Sequence, residues 1–363
     1  MEAKIDRQRV QEFARRLFGH YTSGILTLLV HVGHRTGLFE ELAKGPGTSQ
    51  EIAERAGLNE RYVREWLSAM ATGGVVEYDA STKLFTLPAE HAACLTGASS
   101  RNLAAASQNV PMLAARVARI TECFRSGGGV SYEEYRPDFT EAMDGSWRLL
   151  YDGLLIKGFL PAAKGLPERL KSGIRVADVG CGTGHAVNLM AREYPASTFV
   201  GYDLGEDAIA KARAEAREMR LGNAAFEVLD ATRLPARPQF DLITSFDAIH
   251  DQRDPATVLR RIAEALAPGG IYLMVEPKAS SNLEDNIGNP FAPYIYGMSV
   301  LHCMTVSLAA GGAGLGTAWG EQTARRMLGE AGFTSIDVVD APGPQNSIYV
   351  CRISPLPLGE RAG

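Results

Sequence analysis

The chain has 363 residues, a length at which a single hydrophobic core usually divides into two domains. Hydrophobic residues make up 45% and charged residues 22% of it, which is typical of a folded globular protein. The formal net charge of −5 argues against a general affinity for nucleic acids or anionic membranes, and no apolar run reaches the roughly 20 residues of a membrane span. We therefore expect a folded cytoplasmic protein without a membrane partner.

The first 95 residues have the pattern of a winged-helix domain. Apolar residues at helical spacing over residues 6–34 predict two successive helices. A capping box, Thr48-Ser49-Gln50-Glu51, begins a short helix that Gly57 ends, and Asn59 caps the next helix, over residues 62–70. Two short apolar segments, residues 75–78 and 84–87, flank a polar turn and predict the hairpin of the wing.

Residues 96–170 contain further amphipathic helical patterns and are predicted to form a helical connector. Strand and helix patterns then alternate over residues 171–354, which predicts a doubly wound, mostly parallel sheet covered by helices, as in Rossmann-like α/β domains. The predicted strands are residues 175–179, 198–202, 225–229, 241–246 and 271–276.

A glycine-rich turn follows the first of these strands. The run Gly180-Cys181-Gly182-Thr183-Gly184 keeps side chains away from the backbone where a ligand can approach. Asp203, 23 residues after Gly180, ends the second strand and can accept ribose hydroxyls, while Asp230 ends the third and can accept an adenine amine. Taken by themselves, the glycines are also explained by a tight structural turn or by an NAD or FAD site. Two acidic strand ends in succession favour a methyl donor.

These motifs resemble those of the class I S-adenosylmethionine-dependent methyltransferases, which have a seven-stranded sheet. The segment Leu266-Ala267-Pro268-Gly269-Gly270 also matches the turn before that family's fifth strand. The resemblance implies that S-adenosylmethionine binds here, that its product is S-adenosylhomocysteine, and that no metal is needed. The donor-site residues it implies are Asp178, Gly180, Cys181, Gly182 and Gly184 for the methionine part, Asp203 for the ribose, Asp230 for the adenine amine, and Leu204, Ala231 and Phe246 nearby.

The segment Phe246-Asp247-Ala248-Ile249-His250-Asp251 follows the fourth strand, where loops lie over the donor. His250 can serve as a general base toward a hydroxyl, although a histidine that caps the next helix would give the same pattern. The segment resembles the His-Asp-Trp-x-Asp motif of plant phenylpropanoid and bacterial phenazine O-methyltransferases, in which the histidine is the base, but Gln252 replaces the tryptophan. That resemblance also implies orienting carboxylates at Glu276 and Glu321.

A long insert, residues 279–316, is predicted to form a lid over the acceptor. Its aromatic, polar and sulfur-containing side chains are candidate acceptor contacts, although core packing explains them equally well. The candidate contacts in and around it are Asp251, Asn286, Tyr294, Tyr296, Met298, His302 and Trp319. Neither adjacent His302 and Cys303 nor the five scattered cysteines have the spacing of a metal site.

The same O-methyltransferases dimerise through their N-terminal domain, which implies a homodimer here. Bacterial winged-helix methyltransferases of largely unassigned substrate resemble the chain more closely and share Ile249-His250-Asp251-Gln252. We expect a small-molecule hydroxyl as the acceptor, with sulfur, nitrogen or carbon as alternatives. A DNA-binding regulator is disfavoured because residues 48–87 carry six acids against four bases. An NAD(P) oxidoreductase would leave Asp230 unexplained.

Overall fold

The computed structural model describes residues 5–343 and 345–353. Contacts divide these into two units, one ending at Ala114 and the other beginning at Ala115, so the division falls inside the predicted connector. The first four residues and residue 354, the predicted end of the second domain, lie outside the described residues.

The first unit begins with one long helix where the sequence predicted two. Helix α1 runs unbroken over Arg7–Thr36, capped by Asp6 and ended by Gly37 at φ 71°. It contains no proline, and glycine lowers helix stability without ending a helix, so nothing local interrupts it. The remaining elements of this unit are α2 (Leu38–Ala43), α3 (Ser49–Ala56), α4 (Glu60–Thr72), β1 (Glu77–Asp79), β2 (Leu84–Thr86), α5 (Ala89–Leu95) and α6 (Asn109–Ala114).

Helices α3 and α4 with the β1–β2 hairpin form the predicted winged helix. The Thr48–Glu51 capping box is present at the start of α3, and the antiparallel hairpin pairs Tyr78 with Phe85. Leu67 and Met70 of α4 are fully buried in the apolar core of this unit, and the Trp66 indole N–H donates to the Leu29 carbonyl at 2.8 Å. The structure confirms the predicted helical region with its wing.

The second unit is a seven-stranded sheet. Its strands are β3 (Arg175–Val179), β4 (Thr198–Asp203), β5 (Ala224–Val228), β6 (Phe240–Phe246), β7 (Leu266–Pro277), β8 (Ser335–Asp340) and β9 (Asn346–Arg352). They are ordered β5-β4-β3-β6-β7-β9-β8, and only the pairs made by β9 are antiparallel. This arrangement confirms the predicted fold class. Residues 266–270, predicted as a turn, form the start of β7, whose register with β6 shifts at that point.

Helices cover the sheet and its carboxyl edge. They are α7 (Val117–Ser126), α8 (Tyr132–Tyr135), α9 (Asp138–Leu150), α10 (Leu166–Ser172), α11 (His185–Glu193), α12 (Glu206–Glu218), α13 (Pro255–Ala265), α14 (Leu283–Asn286), α15 (Ala292–Met298), α16 (Met304–Ala309) and α17 (Gly320–Glu330). Two π-helical segments, Tyr151–Phe159 and Ser299–Cys303, join α9 to the next turn and α15 to α16.

The order of the strands decides where a ligand can bind. Strand β3 lies between β4 and β6. From β3 the chain adds β4 and β5 on one side of β3, and it then crosses over to add β6 and β7 on the other side. The carboxyl ends of strands at such a switch point border a crevice, which is the usual ligand site of doubly wound sheets. Among the described residues, no helix is both long enough and apolar enough to cross a bilayer.

Candidate active site

A cavity of about 510 Å³ opens at this switch point, within the second unit. The glycine-rich loop, the end of β4 and the segment after β6 form its floor, and α8, α9 and α16 form its walls. Its lining includes Tyr132, Phe139, Trp147, Tyr151, Gly180, Gly182, Asp203, Leu204, Ala231, Phe246, Asp247, Asp251 and Ser307. The cavity therefore joins the predicted donor site to the segment containing His250.

The glycine-rich loop can take its shape only with glycine. Gly180 and Gly184 have φ values of 76° and 74°, and a Cβ on Gly180 would lie 2.5 Å from that of Ala248. A Cβ on Gly184 would lie 2.5 Å from Ala212 and Phe226. The loop backbone is therefore pressed against the sheet and left uncovered toward the cavity, as a ligand that contacts backbone amides requires.

Asp203 holds the loop in place. Its carboxylate accepts the Gly182 amide at 2.9 Å and the Gly205 amide at 2.7 Å. Burial raises the pKa of Asp203, although these two amides and Arg136 oppose the increase. Each carboxylate oxygen can accept a further hydrogen bond, so Asp203 can receive the hydroxyls of a ribose. The neighbouring Leu204 is 61% exposed and offers an apolar surface at the same cavity wall.

Three of the predicted donor residues, Asp178, Gly184 and Asp230, lie outside the cavity lining. Asp178 is buried behind the loop, where the Thr244 hydroxyl donates to it at 2.6 Å, and burial raises its pKa to about 7. Asp230 caps a short 3-10 turn by accepting from the amide and hydroxyl of Thr232. Its neighbours Leu229 and Ala231 do line the cavity. Asp178 thus lies buried beneath the glycine-rich loop, and Asp230 lies next to the lining residues Leu229 and Ala231.

His250 and Glu276 form a buried pair. The Nδ1–H of His250 donates to Glu276 Oε2 at 2.6 Å, while Glu276 Oε1 accepts the Ile249 amide at 2.9 Å. Burial lowers the pKa of His250, but the charge of Glu276 and a hydrogen bond with Cys303 outweigh it and raise that pKa well above its usual value. His250 is only 2% exposed and does not itself line the cavity.

Asp247 is a site residue that the sequence did not reveal. It lines the cavity, and its Oδ1 lies 3.8 Å from His250 Nδ1. Burial raises the pKa of Asp247 to about 6, with His250 opposing and Glu276 adding to the increase. Asp251, a predicted acceptor contact, also lines the cavity, and burial raises its pKa to about 7. A signal for Asp247 was available, because it directly follows a strand at the switch point.

Asp247, His250 and Glu276 have ligand atoms within 4.8 Å of one another, which resembles the spacing of a metal site. Two ligands of one tetrahedral ion lie roughly 3 Å or more apart, given metal–ligand bonds of about 2 Å. The 2.6 Å between His250 and Glu276 is shorter and fits a direct hydrogen bond. We therefore assign the group as a hydrogen-bonded acid–base cluster and call it the His250 cluster.

Most other predicted acceptor contacts lie away from the cavity lining. Asn286 donates to the carbonyls of Ser280 and Asn282 and to the Tyr296 hydroxyl, so these side chains stabilise the insert. Trp319 is buried in the apolar core on one face of the sheet. Tyr294 is exposed and Met298 is half-buried; neither lines the cavity. From the insert, the residues that do line it are Val306, Ser307, Ala309 and Ala310.

Glu321, the other predicted orienting carboxylate, forms an ion pair with Arg325. Its carboxylate accepts from Arg325 Nε at 2.7 Å on α17, and both side chains are about two-fifths exposed. This i, i+4 ion pair gives the Glu321 carboxylate a partner on its own helix. Of the two predicted orienting carboxylates, only Glu276 contacts His250 among the described residues.

His302 packs behind the cavity wall. Its ring stacks on Phe139 with centroids 3.7 Å apart and meets the edges of Tyr132 and Tyr135. Burial lowers its pKa to about 3, and no partner for either ring nitrogen is found in the described part of the chain. His302 is therefore a neutral aromatic packing residue that positions two cavity-lining rings, Tyr132 and Phe139.

A polar network that the sequence did not reveal ties the glycine-rich loop to α9. The Thr183 hydroxyl donates to Asp144 at 2.5 Å, and Arg148 donates to the same carboxylate and to Glu215. Glu215 also contacts His185 Nδ1 at 2.8 Å. The network spans four elements that are distant in sequence, so no local pattern could show it.

Comparison with known proteins identifies two families along the chain. Residues 24–97 match the Rv2258c-like winged HTH domain, and residues 170–332 match a methyltransferase domain. Strands β3 to β7 and the cavity-lining residues from Gly180 onward lie in the second match, whereas the lining residues of α8 and α9 precede it. Both matches agree with the elements described above.

Solved structures and curated relatives extend these matches. The mitomycin 7-O-methyltransferase MmcR superimposes with a TM-score of 0.66 at 19% identity, covering 96% of this chain and 99% of that one. Human N-acetylserotonin methyltransferase gives a TM-score of 0.66 at 16% identity, over 98% of this chain and all (100%) of the other. At such identities the likeness shows the fold.

Among curated relatives, trans-aconitate 2-methyltransferase of Methylobacterium nodulans is 34% identical over 31% of this chain, which spans only 40% of that relative. Aklanonic acid methyltransferase DauC of Streptomyces sp. (strain C5) is 31% identical over 44% of this chain and 74% of its own length. The chain therefore belongs to the S-adenosylmethionine-dependent methyltransferases and carries a winged-helix domain ahead of its methyltransferase domain.

Proposed function

We propose that the chain transfers the methyl group of S-adenosylmethionine to a hydroxyl group of a small molecule. The observation that carries this proposal is one cavity that joins the glycine-rich loop and Asp203 to the wall formed by Asp247 and Asp251. A donor and an acceptor bound there would lie side by side. Mitomycin 7-O-methyltransferase and human N-acetylserotonin methyltransferase share this fold.

The residues of the donor side fit S-adenosylmethionine. The loop backbone at Gly180 and Gly182 borders the cavity, and nothing lies within 4 Å of the position of a Cβ at Gly182. Asp203 has acceptor capacity left for ribose hydroxyls, and Leu204 with Ala231 can hold an adenine ring. When bound, the sulfonium supplies an already activated methyl group. The task of the protein is then alignment of the two reactants and exclusion of water, which can lower the barrier by roughly 7 to 11 kcal/mol.

We assign proton removal from the acceptor to the His250 cluster, with His250 as the general base. Glu276 fixes the ring through its 2.6 Å hydrogen bond and stabilises the imidazolium that forms. Base catalysis of this kind contributes about 10²- to 10⁴-fold to the rate. A hydroxyl acceptor needs such a base, whereas sulfur, nitrogen and carbon acceptors remain alternatives within the same reaction class.

The acceptor side of the cavity suits an aromatic or otherwise flat molecule. Phe139, Trp147 and Tyr151 line it, and the Trp147 and Tyr151 rings lie 5.3 Å apart. Aromatic side chains give a large apolar contact area with defined geometry. We include in this proposal a lid role for the insert over residues 279–316, since α16 contributes to the lining.

We further propose a homodimer formed through the N-terminal unit. The N-terminal part of α1 exposes large apolar side chains, including Phe13, Phe18 and Tyr21, each more than half exposed. A helix with an uncovered apolar stripe gains stability only when a partner covers it. Sedimentation of the wild type and of Phe13→Asp/Phe18→Asp tests this. A monomeric wild-type protein would exclude the dimer.

The donor site is tested by calorimetric titration with S-adenosylhomocysteine. We expect micromolar binding by the wild type and its loss in Asp203→Ala. Asp230→Ala is the matched comparison: its carboxylate caps a turn outside the lining, so we expect a smaller loss of affinity. No binding by the wild type would reject the proposed function. Binding would justify a screen of phenolic acceptors against wild type and His250→Ala.

A further inference from the structure

We propose that the carboxylate of Asp247 binds the ammonium group at the amino-acid end of S-adenosylmethionine. This inference rests on the proposed function and deepens it, because it assigns an acidic side chain to the cationic end of the donor. The resemblance implied Asp178 for the methionine part, but Asp178 is buried and accepts the Thr244 hydroxyl. Asp247, in contrast, lines the cavity.

Asp247 stands next to the glycine-rich loop. It follows β6, which pairs with β3 in parallel, so the segments that follow these two strands emerge side by side. The next residue, Ala248, packs against the loop, because a Cβ added to Gly180 would lie 2.5 Å from the Cβ of Ala248. Tyr151 interacts electrostatically with both Asp247 and Cys181 of the loop. Asp247 therefore lies at the end of the cavity where the loop would hold the methionine part.

A ligand in the cavity can reach the Asp247 carboxylate. The side chain is 20% exposed and forms part of the lining. Its Oδ1 is shielded from solvent and has no hydrogen-bond partner among the described residues. A ligand would therefore approach from the Oδ2 side. An ionised carboxylate has about four lone-pair sites, so the interaction with the Trp147 indole N–H leaves acceptor capacity for an ammonium group.

The neighbouring side chains leave the charge of Asp247 without a full counter-charge. His250 favours the ionised form of Asp247, but the Nδ1–H of His250 donates to Glu276 at 2.6 Å and lies 3.8 Å from Asp247 Oδ1. Burial and the charge of Glu276 together raise the pKa of Asp247 to about 6. Asp247 is therefore a carboxylate at neutral pH, and a buried charge in a protein is normally paired.

The arginines among the described lining residues do not supply this counter-charge. Arg136 and Arg148 already form ion pairs with other carboxylates, at 3.2 Å and 2.9 Å, and Arg253 is exposed. The donor brings a cation of its own, because its amino-acid end carries an ammonium group with three N–H donors. Hydrogen bonds between an ammonium group and a carboxylate are among the strong ones in proteins. We therefore assign the missing partner of Asp247 to the ligand.

The backbone at Asp247 makes Asp247→Asn a suitable test variant. Asp247 has φ 55°, in the left-handed region, and its amide donates to the Val275 carbonyl at 2.8 Å. Aspartate and asparagine are among the residues other than glycine that adopt this conformation most readily. Asparagine therefore removes the charge and keeps the backbone conformation and the size of the side chain.

The test is calorimetric titration of the wild type and Asp247→Asn with three ligands. S-Adenosylhomocysteine has the whole amino-acid end, S-adenosyl-3-thiopropylamine keeps its amine and lacks its carboxylate, and 5′-methylthioadenosine lacks both. We expect Asp247→Asn to weaken binding of the first two by about 10- to 100-fold, the effect of one hydrogen bond between charged groups. Its affinity for 5′-methylthioadenosine should stay unchanged, which also shows that the variant is folded.

Asp251→Asn is the matched control, because Asp251 is a second carboxylate of the cavity lining. An equal loss of S-adenosylhomocysteine affinity in Asp251→Asn would show that the total charge of the wall attracts the ligand without a contact at Asp247. The inference would also be overturned by an unchanged S-adenosylhomocysteine affinity in Asp247→Asn, or by an equal loss with all three ligands. In these cases the proposed function stands. If the wild type binds none of the ligands, the proposed function fails together with the inference.

Discussion

The His250 ring and the Glu276 carboxylate are 26 positions apart in the chain and 2.6 Å apart in the fold. Strand β7 carries Glu276 to the carboxyl edge beside the segment that follows β6. The second Glu276 oxygen is held by the Ile249 amide, so the carboxylate has a fixed orientation and in turn fixes the ring.

Glu276→Gln should lower activity and the pKa of His250 together. The amide keeps the shape of the side chain but removes the charge that raises the pKa of His250. Replacement of the carboxylate that orients a catalytic histidine by an amide can cost up to about 10⁴-fold in rate. Turnover of catechol and a ¹⁵N titration of the ring measure the two effects.

Glu321→Gln is the matched control for this substitution. Glu321 is bonded to Arg325, and both side chains are partly exposed, so its replacement should leave turnover and the His250 titration unchanged. If Glu321→Gln reduced the rate as strongly as Glu276→Gln, Glu321 would regain the orienting role implied by the resemblance.

The rate of methyl transfer to catechol should rise with pH above neutrality. His250 can accept a proton only when neutral, and its pKa is raised well above the usual value because Glu276 and Cys303 outweigh burial. The base is therefore lost as the pH falls through this raised pKa. In Glu276→Gln the rise should move to lower pH. A rate that is flat in pH for the wild type would exclude His250 as the proton acceptor.

Gly180→Ala should destabilise the second unit more than Gly182→Ala. Both positions have positive φ, which costs an L residue roughly 1 to 2 kcal/mol. Only at residue 180 does the added Cβ also meet Ala248, at 2.5 Å, whereas no atom lies within 4 Å at residue 182. Overpacking adds about 1 to 3 kcal/mol. Urea unfolding measures the difference, and equal losses would show that Ala248 can move aside.

His302→Phe should make the free energy of unfolding less dependent on pH in the acidic range. In the folded state burial holds the His302 pKa at about 3, whereas in the unfolded chain it is near 6.5. The unfolded state therefore binds the extra proton first, and stability falls as the pH drops from 6.5 toward 3. At pH 4.5 this amounts to roughly 2 to 3 kcal/mol.

Phenylalanine at residue 302 cannot titrate and keeps the stacking on Phe139. Unfolding free energies at pH 7 and pH 4.5 give the comparison, with the exposed His20→Gln as a control that should behave as the wild type. If His302→Phe kept the full acid dependence, His302 would already be protonated or solvated in the folded protein.

The signals that predict the donor side of the site are local. A strand, a turn that requires glycine, and an acidic residue at the next strand end are adjacent steps of one βαβ unit. The predicted contacts Asp203, Leu204 and Ala231 do line the cavity. The acceptor side has no such local signal: Asn286 and Trp319, chosen for residue type, take part in internal hydrogen bonds and packing.

The sequence by itself determined the fold class, the winged helix and the glycine-rich loop, because hydrophobic periodicity, capping residues and glycine positions act over a few neighbouring residues. The tertiary structure alone decided which charged side chains meet. It brought Glu276 to His250 and placed Asp247 at the cavity wall with its Oδ1 3.8 Å from His250 Nδ1. Such contacts depend on strand order and register, which no short segment of the chain encodes.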